Sequence, residues 1–386
     1  MTIFGEGYFF ILLILLSLPA IALGVARKNI KYYGFAVSIL IAWMALRDNT
    51  PALISLIGYC VYEFLLLKVF LVFSGKKPHN GKAYAIALTA SLVPLIIWKL
   101  SHLGGHSILG FLGLSYMTFK TAQIVIEIYD GLIEEVKAFD FIYELIFFPC
   151  ISSGPIDRSR RFVTDLDNTP SREDYLELVG EGLFKICRGL VYKFIFAGAA
   201  FQVMTWLGGT ESAGSILIYM YSYGIYLFFD FAGYSQMAVG TSYIFGVKTP
   251  DNFNKPFIAT DMKDFWDRWH MTLSYWFRDY LFSRLMMRSI RGKWFKDRLT
   301  GATLGFIINM AVMGIWHGLT FSYIGYGLYH GVLLAGTEYY QKKSKFHKKH
   351  KKEKWYIFVS WFITMNLVFF GFFIFSGKIA EILNIK

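Results

Sequence analysis

The sequence predicts an all-α polytopic membrane protein, with roughly ten to eleven transmembrane helices and re-entrant or horizontal segments between them. Three observations predict it. Hydrophobic residues make up 55% of the 386 residues and charged residues only 17%, where a soluble fold carries about 25% charged. Mean hydropathy is +0.44. Several runs without a formal charge reach the length of about 20 residues that one helix needs to cross a hydrocarbon core. This composition excludes a disordered chain, a collagen and a coiled coil. Cys60, Cys150 and Cys187 offer neither a disulfide framework nor metal-ligand spacing, so no metal is expected.

The first run, 8–26, is followed by Arg27, Lys28 and Lys31. A cleavable leader has its basic residues in front of the apolar stretch, so this run reads as a true span. Further spans are expected over 32–46, 51–74, 83–98, 107–126, 183–207, 215–247 and 355–376. Residues 300–337 contain no formal charge over 38 residues, about twice what one helix needs, so this stretch folds back once near 317–322. Residues 139–162 read differently. They begin apolar but short, carry Asp140 and Glu144, and end in a Ser-Ser-Gly-Pro turn that presents Asp157 and Arg158 at the cytoplasmic face. A re-entrant segment fits. Residues 264–298 mix Trp266, Trp269, Trp276 and Phe277 with Arg268, Arg278, Arg284, Arg288 and Arg291, an amphipathic cytoplasmic pattern rather than a span. The whole chain reads as a single integral-membrane domain.

Charge sets the expected topology. The connections 27–31, 76–82, 157–174, 248–298 and 342–354 are basic or strongly charged, while 47–50, 101–106 and 208–214 are short and poor in Lys and Arg. Placing the basic set in the cytoplasm leaves both termini extracellular on a multi-pass cell-membrane protein. The net charge of +12 then belongs to loops facing anionic lipid, with no nucleic acid required. Eight lysines fall within 342–354 alone.

Polar groups that hydrocarbon would penalise mark the chemistry. His317, beside Trp316, lies inside the charge-free run 300–337, and Gly314 and Gly318 lower the local bulk so that a substrate or another backbone can approach. At this point the residues leave function and a packed neutral imidazole evenly balanced. His270, beside Trp269, reads first as an aromatic-belt residue, and His330 as a packing or interfacial one. Asp230, flanked by apolar residues and followed by Gly-Tyr-Ser, reads first as a structural acid capping a broken helix. A lone imidazole suits general-base removal of a proton from a hydroxyl when the acyl donor arrives activated as a thioester.

The segments DFWDRWHMTLSYWFRDYLF (264–282), MGIWHG (313–318) and FFDFAGYSQMAVG (228–240) resemble motifs of the membrane-bound O-acyltransferase family, in order. ISSGPIDRSRRF (151–162) narrows the resemblance to the branch that D-alanylates teichoic acid. The resemblance implies a ring of helices around a central tunnel, with His317 as the catalytic histidine and His270 as the second motif histidine. Trp316, Trp269, Asp230, Asp157 and Arg158 would give tunnel or structural support. It implies that the chain binds no cofactor of its own. An acidic carrier protein supplies D-alanine on phosphopantetheine from the cytoplasm, and lipoteichoic acid accepts it outside, with room for other small membrane proteins of the same pathway. Arg284, Leu285, Met286, Met287, Arg288 and Arg291 would dock the carrier. Gln236 stands where related polysaccharide acetylases would carry an acid. An acetyltransferase for an exopolysaccharide or peptidoglycan is the same-class alternative. A transporter of lipid-linked polymer is the different-class one, although no inverted repeat is visible.

Overall fold

The computed structural model describes residues 2–76, 79–105, 108–207 and 212–385, and every described element is helical. His106 and most of the 208–214 connection lie outside the described residues. Contacts gather into two compact units, one of Met1–Val191 with Gly233–Pro250 and one of Tyr192–Ala232 with Asp251–Lys386.

In the first unit, α1 (Gly7–Val25), α2 (Lys31–Leu46), α3 (Thr50–Lys76) and α4 (Gly81–Leu103) follow the expected runs. The next run differs. Its helix α5 (Leu114–Tyr129) starts later than expected, because Gly113 turns the chain at φ 90°, where an added Cβ would lie 2.0 Å from the Ile151 carbonyl oxygen. The segment read as re-entrant is α6 (Ala138–Ile146) followed by a single tight turn, Phe148–Cys150, and it is buried without interruption from Tyr143 to Cys150. Its broken backbone is satisfied from inside the protein: the Phe148 amide donates to Ser38 Oγ at 3.3 Å. Helix α7 (Ser159–Asp167) and helix α8 (Arg172–Leu190) follow. Tyr175 is wholly buried and donates to the Ile244 carbonyl at 2.7 Å.

A π-type turn over Val191–Phe196 leads from α8 into α9 (Ala197–Leu207), and Arg172–Leu207 is long and apolar enough to cross a membrane. Helix α10 (Ala213–Ile244) runs unbroken through Asp230. Three short helices come next, α11 (Met262–Trp266), α12 (Met271–Phe277) and α13 (Ser283–Arg291). The charge-free run folds back where its length required, as α14 (Arg298–His317) and α15 (Phe321–Lys343). Helices α16 (Lys345–His350), α17 (Lys354–Phe375) and α18 (Lys378–Ile382) finish the chain. Seven described helices are long and apolar enough to cross a membrane, with α2 a shorter apolar one.

The amphipathic reading of 264–298 needs correction. Phe265, Trp266, Trp269, Trp276 and Phe277 are buried, so α11 and α12 are largely core, and an exposed mixed surface begins at Arg278 and Asp279 and runs on through α13. Composition could not separate these cases, because interfacial and buried aromatic residues have the same side chains.

Candidate active site

The α14–α15 hairpin presents His317 as the last residue of α14. Its two helices touch through glycine. A Cβ on Gly314 would fall 2.5 Å from the Tyr323 carbonyl oxygen, and one on Gly327 would fall 2.4 Å from that of Met310. At Gly318 the close neighbour is the Tyr323 ring, at 2.3 Å. The small residues beside His317 therefore admit the protein's own backbone and tyrosine. Four rings frame the imidazole: Trp316 at 4.7 Å, Phe375 at 5.2 Å, Tyr323 at 6.2 Å and Tyr326 at 6.3 Å between centroids. Part of His317 nevertheless remains accessible.

His270 is built in quite another way. It precedes α12 with φ 44° and ψ 51°, a left-handed conformation that costs a non-glycine residue on the order of 1–3 kcal/mol. The buried loop carrying Asn252 holds it there. The Met271 amide donates to the Asn252 carbonyl at 2.8 Å, and Thr272 Oγ1 donates to Asn252 Oδ1 at 2.5 Å. His270 Nδ1 lies 3.3 Å from the same Oδ1, so the neutral ring donates there from Nδ1 and keeps its lone pair on Nε2. Phe231 meets the ring edge-to-face at 4.7 Å. Burial pushes the imidazole down from 6.5 to about 3, and a charge on His317 pushes the same way. The two histidines thus share one electrostatic environment, with His270 held as a neutral, oriented ring. Trp269 backs it, packed on Phe372 at 4.7 Å and Phe253 at 5.1 Å.

His330 is completely buried, and both ring nitrogens lack a hydrogen-bond partner. Trp266 and Tyr326 pack on it at 5.3 and 4.5 Å. It is a packing histidine within the hairpin, not an interfacial one.

A cavity of 230 Å³ is lined by Trp266, Arg278, Asn309 and Met313, among others. Trp266 Nε1 and Asn309 Oδ1, on two of its lining residues, are buried without hydrogen-bond partners. Met313 is four residues before His317 on the same face of α14.

The remaining expected residues have other surroundings. Asp230 caps no broken helix, because α10 is continuous; it is ion-paired with Lys193. Asp157 is buried and bound by Arg161 and by the Arg158 amide, so the turn does not present its carboxylate. Arg158 Nη1 donates to Gln123 Oε1 at 3.4 Å. Asp157 and Arg158 belong to the first unit, the histidines to the second. Gln236 accepts from Arg188. On α13, Arg288, Arg291 and Met287 are exposed, Arg284 and Leu285 are half-buried, and Met286 turns inward against Gly301 and Gly305. Ile290 and Trp294, which the sequence reading passed over, are 50% and 57% exposed and extend the same surface. Asn252 was also missed, since a loop asparagine gives no sign in sequence that it will be buried.

A model of the membrane-bound O-acyltransferase family matches residues 32–376. The chain belongs to that family. Among relatives of this O-acyltransferase, a teichoic acid D-alanyltransferase of Bacillus subtilis is 41% identical, with 98% of each chain covered. One of Streptococcus thermophilus is 36% identical over 98% of this chain and 96% of its own. A probable alginate O-acetylase of Pseudomonas aeruginosa is 31% identical but covers 58% of this acyltransferase and 42% of its own length.

Proposed function

We propose that the chain transfers D-alanine from a phosphopantetheine thioester on an acidic carrier protein, in the cytoplasm, to a hydroxyl of lipoteichoic acid outside. The observation that carries the chemistry is the partly accessible imidazole of His317, framed by four aromatic rings at the end of α14. His317 takes the proton of the acceptor hydroxyl as its oxygen attacks the thioester carbonyl. The carbon–sulfur bond then breaks, and the leaving sulfur receives that proton, so the base is regenerated. Imidazole suits this role because its ordinary pKa lies near neutrality. His270, neutral and fixed by Asn252, orients the reacting groups.

The cavity beside Met313 supports a pantetheine arm as the donor. Its lining is largely apolar, and Arg278 offers a cation to the phosphate. Exposed Arg288 and Arg291, flanked by Met287, Ile290 and Trp294, suit an acidic partner with apolar contacts. The choice of D-alanine over acetate rests on the near full-length relatives named D-alanyltransferases, against the partial coverage of the acetylases.

The test is reconstitution. Vesicles containing the protein are given carrier protein loaded with labelled D-alanine, lipoteichoic acid and, in parallel, carrier or coenzyme A loaded with acetate. Labelled D-alanyl ester on the polymer is the expected product. Transfer of acetate alone would overturn the reading.

A further inference from the structure

A cavity of 590 Å³ shares no residue with the acyl-transfer site. It is bounded by α15, α16 and α17 and by the start of α11, at the lysine-rich end of these helices. Its lining changes along the helices. Toward the lysine-rich end are Lys351, His347 and Tyr356; further along α15 and α17 are Leu333, Ile363 and Leu367. From Trp355 to Leu367 the α17 wall runs twelve residues, about 18 Å of helix, close to the depth of one hydrocarbon leaflet.

Charge is equally graded. Residues 342–354 hold eight lysines against one glutamate. The one lining carboxylate, Asp261, is already engaged: it accepts from the Lys263 and Asp264 amides at the start of α11 and from Gln341 Nε2 at 2.9 Å. His347 Nδ1 lies 2.9 Å from the Tyr356 hydroxyl, which fixes the ring at that end. The cavity is thus amphipathic along the helices, basic at the lysine-rich end and apolar further along.

We infer that this cavity binds one anionic phospholipid of the surrounding leaflet, its phosphate against Lys351 and His347 and an acyl chain along Leu333, Ile363 and Leu367. A basic pocket between membrane helices is suited to a lipid headgroup, and 590 Å³ is within the usual range for a single small ligand. The inference concerns neither acyl donor nor acceptor, and it stands or falls apart from the transferase reading.

The experiment measures lipid retained by the full-length protein. Purified protein is exchanged into mild detergent with equal phosphatidylglycerol and phosphatidylcholine, washed, and its bound lipid counted by native mass spectrometry. Phosphatidylglycerol should be retained preferentially, as a single molecule. Lys351→Glu and His347→Gln together should lower that retention at least about five-fold, the scale of one basic group at an anionic surface. Leu367→Trp, which fills the apolar end, should lower it with the basic end intact. Lys348→Glu with Lys349→Glu, exposed on the same helix but outside the lining, should leave it unchanged.

Equal retention of the two lipids, or equal loss in the control pair, would overturn the site in favour of diffuse attraction. Protection from heat by glycerol phosphate as effective as that by phosphatidylglycerol would remove the chain from the proposal. Weakened carrier-protein binding by the basic-end variant, with lipid retention intact, would make the surface a protein dock instead.

Discussion

At the scale of single residues, His270 and His317 differ sharply in their surroundings. His317 keeps accessible surface, whereas His270 is 4% exposed, left-handed in backbone and tied to Asn252. Asn252→Ala would leave His270 Nδ1 without that acceptor. We expect transfer to fall about ten-fold with the protein still folded, the scale of one oriented buried hydrogen bond; unchanged turnover would remove the positioning role. Acid stability gives a second check. His270 is held from 6.5 down to about 3, so below pH 6.5 the unfolded chain binds a proton that the folded one refuses. Stability contributed by the neutral ring is complete above 6.5 and drains away as pH falls towards 3. The melting temperature should therefore drop less steeply between pH 6.5 and 4 in His270→Gln than in the parent; parallel slopes would contradict the burial argument. His317 stood out as a candidate because it lies inside 38 uncharged residues, but His330 shares that run and is fully buried packing, so the motif around His317, not the run, separated the two. The roles of Asn252 and of the Asp230–Lys193 pair were not legible, because each depends on residues distant in sequence.

At the scale of elements, the α14–α15 hairpin is held by backbone contact through Gly314 and Gly327. Gly314→Ala drives a Cβ to 2.5 Å from a carbonyl oxygen that cannot move alone. It should cost about 1–3 kcal/mol, read as a lower melting temperature in detergent. Gly336→Ala on α15 meets nothing within 4 Å and should be neutral or stabilising by up to about 1 kcal/mol. Equal effects from the two would show that helix propensity, not close approach, governs the pair. The fold-back itself could be read from length and charge alone, since no single helix uses so long an apolar run. The breaks within 262–291 could not. A stretch of Trp, Phe and Arg has the same composition whether it lies along a membrane surface or folds into short buried helices, and only the burial of Phe265, Trp269 and Phe277 separates these cases.

At the scale of the whole molecule, hydrophobicity and basic charge do different work. Apolar helices supply the membrane body, seven of them long enough to cross it among the described residues. Basic side chains are concentrated on α13 and in 342–354. If the α13 surface receives the acidic carrier, Arg288→Glu with Arg291→Glu should weaken carrier binding more at 50 mM salt than at 500 mM, as screening shortens the reach of charge from roughly 14 to 4 Å. A salt-independent affinity would remove these arginines from the dock. The most direct test of the account as a whole returns to one atom pair, the base and the hydroxyl it activates. Ester-linked D-alanine on teichoic acid is measured in cells that carry His317→Ala at matched protein levels. The account predicts loss of at least about a hundred-fold, the lower range for a removed general base; D-alanine at the parental level would contradict it.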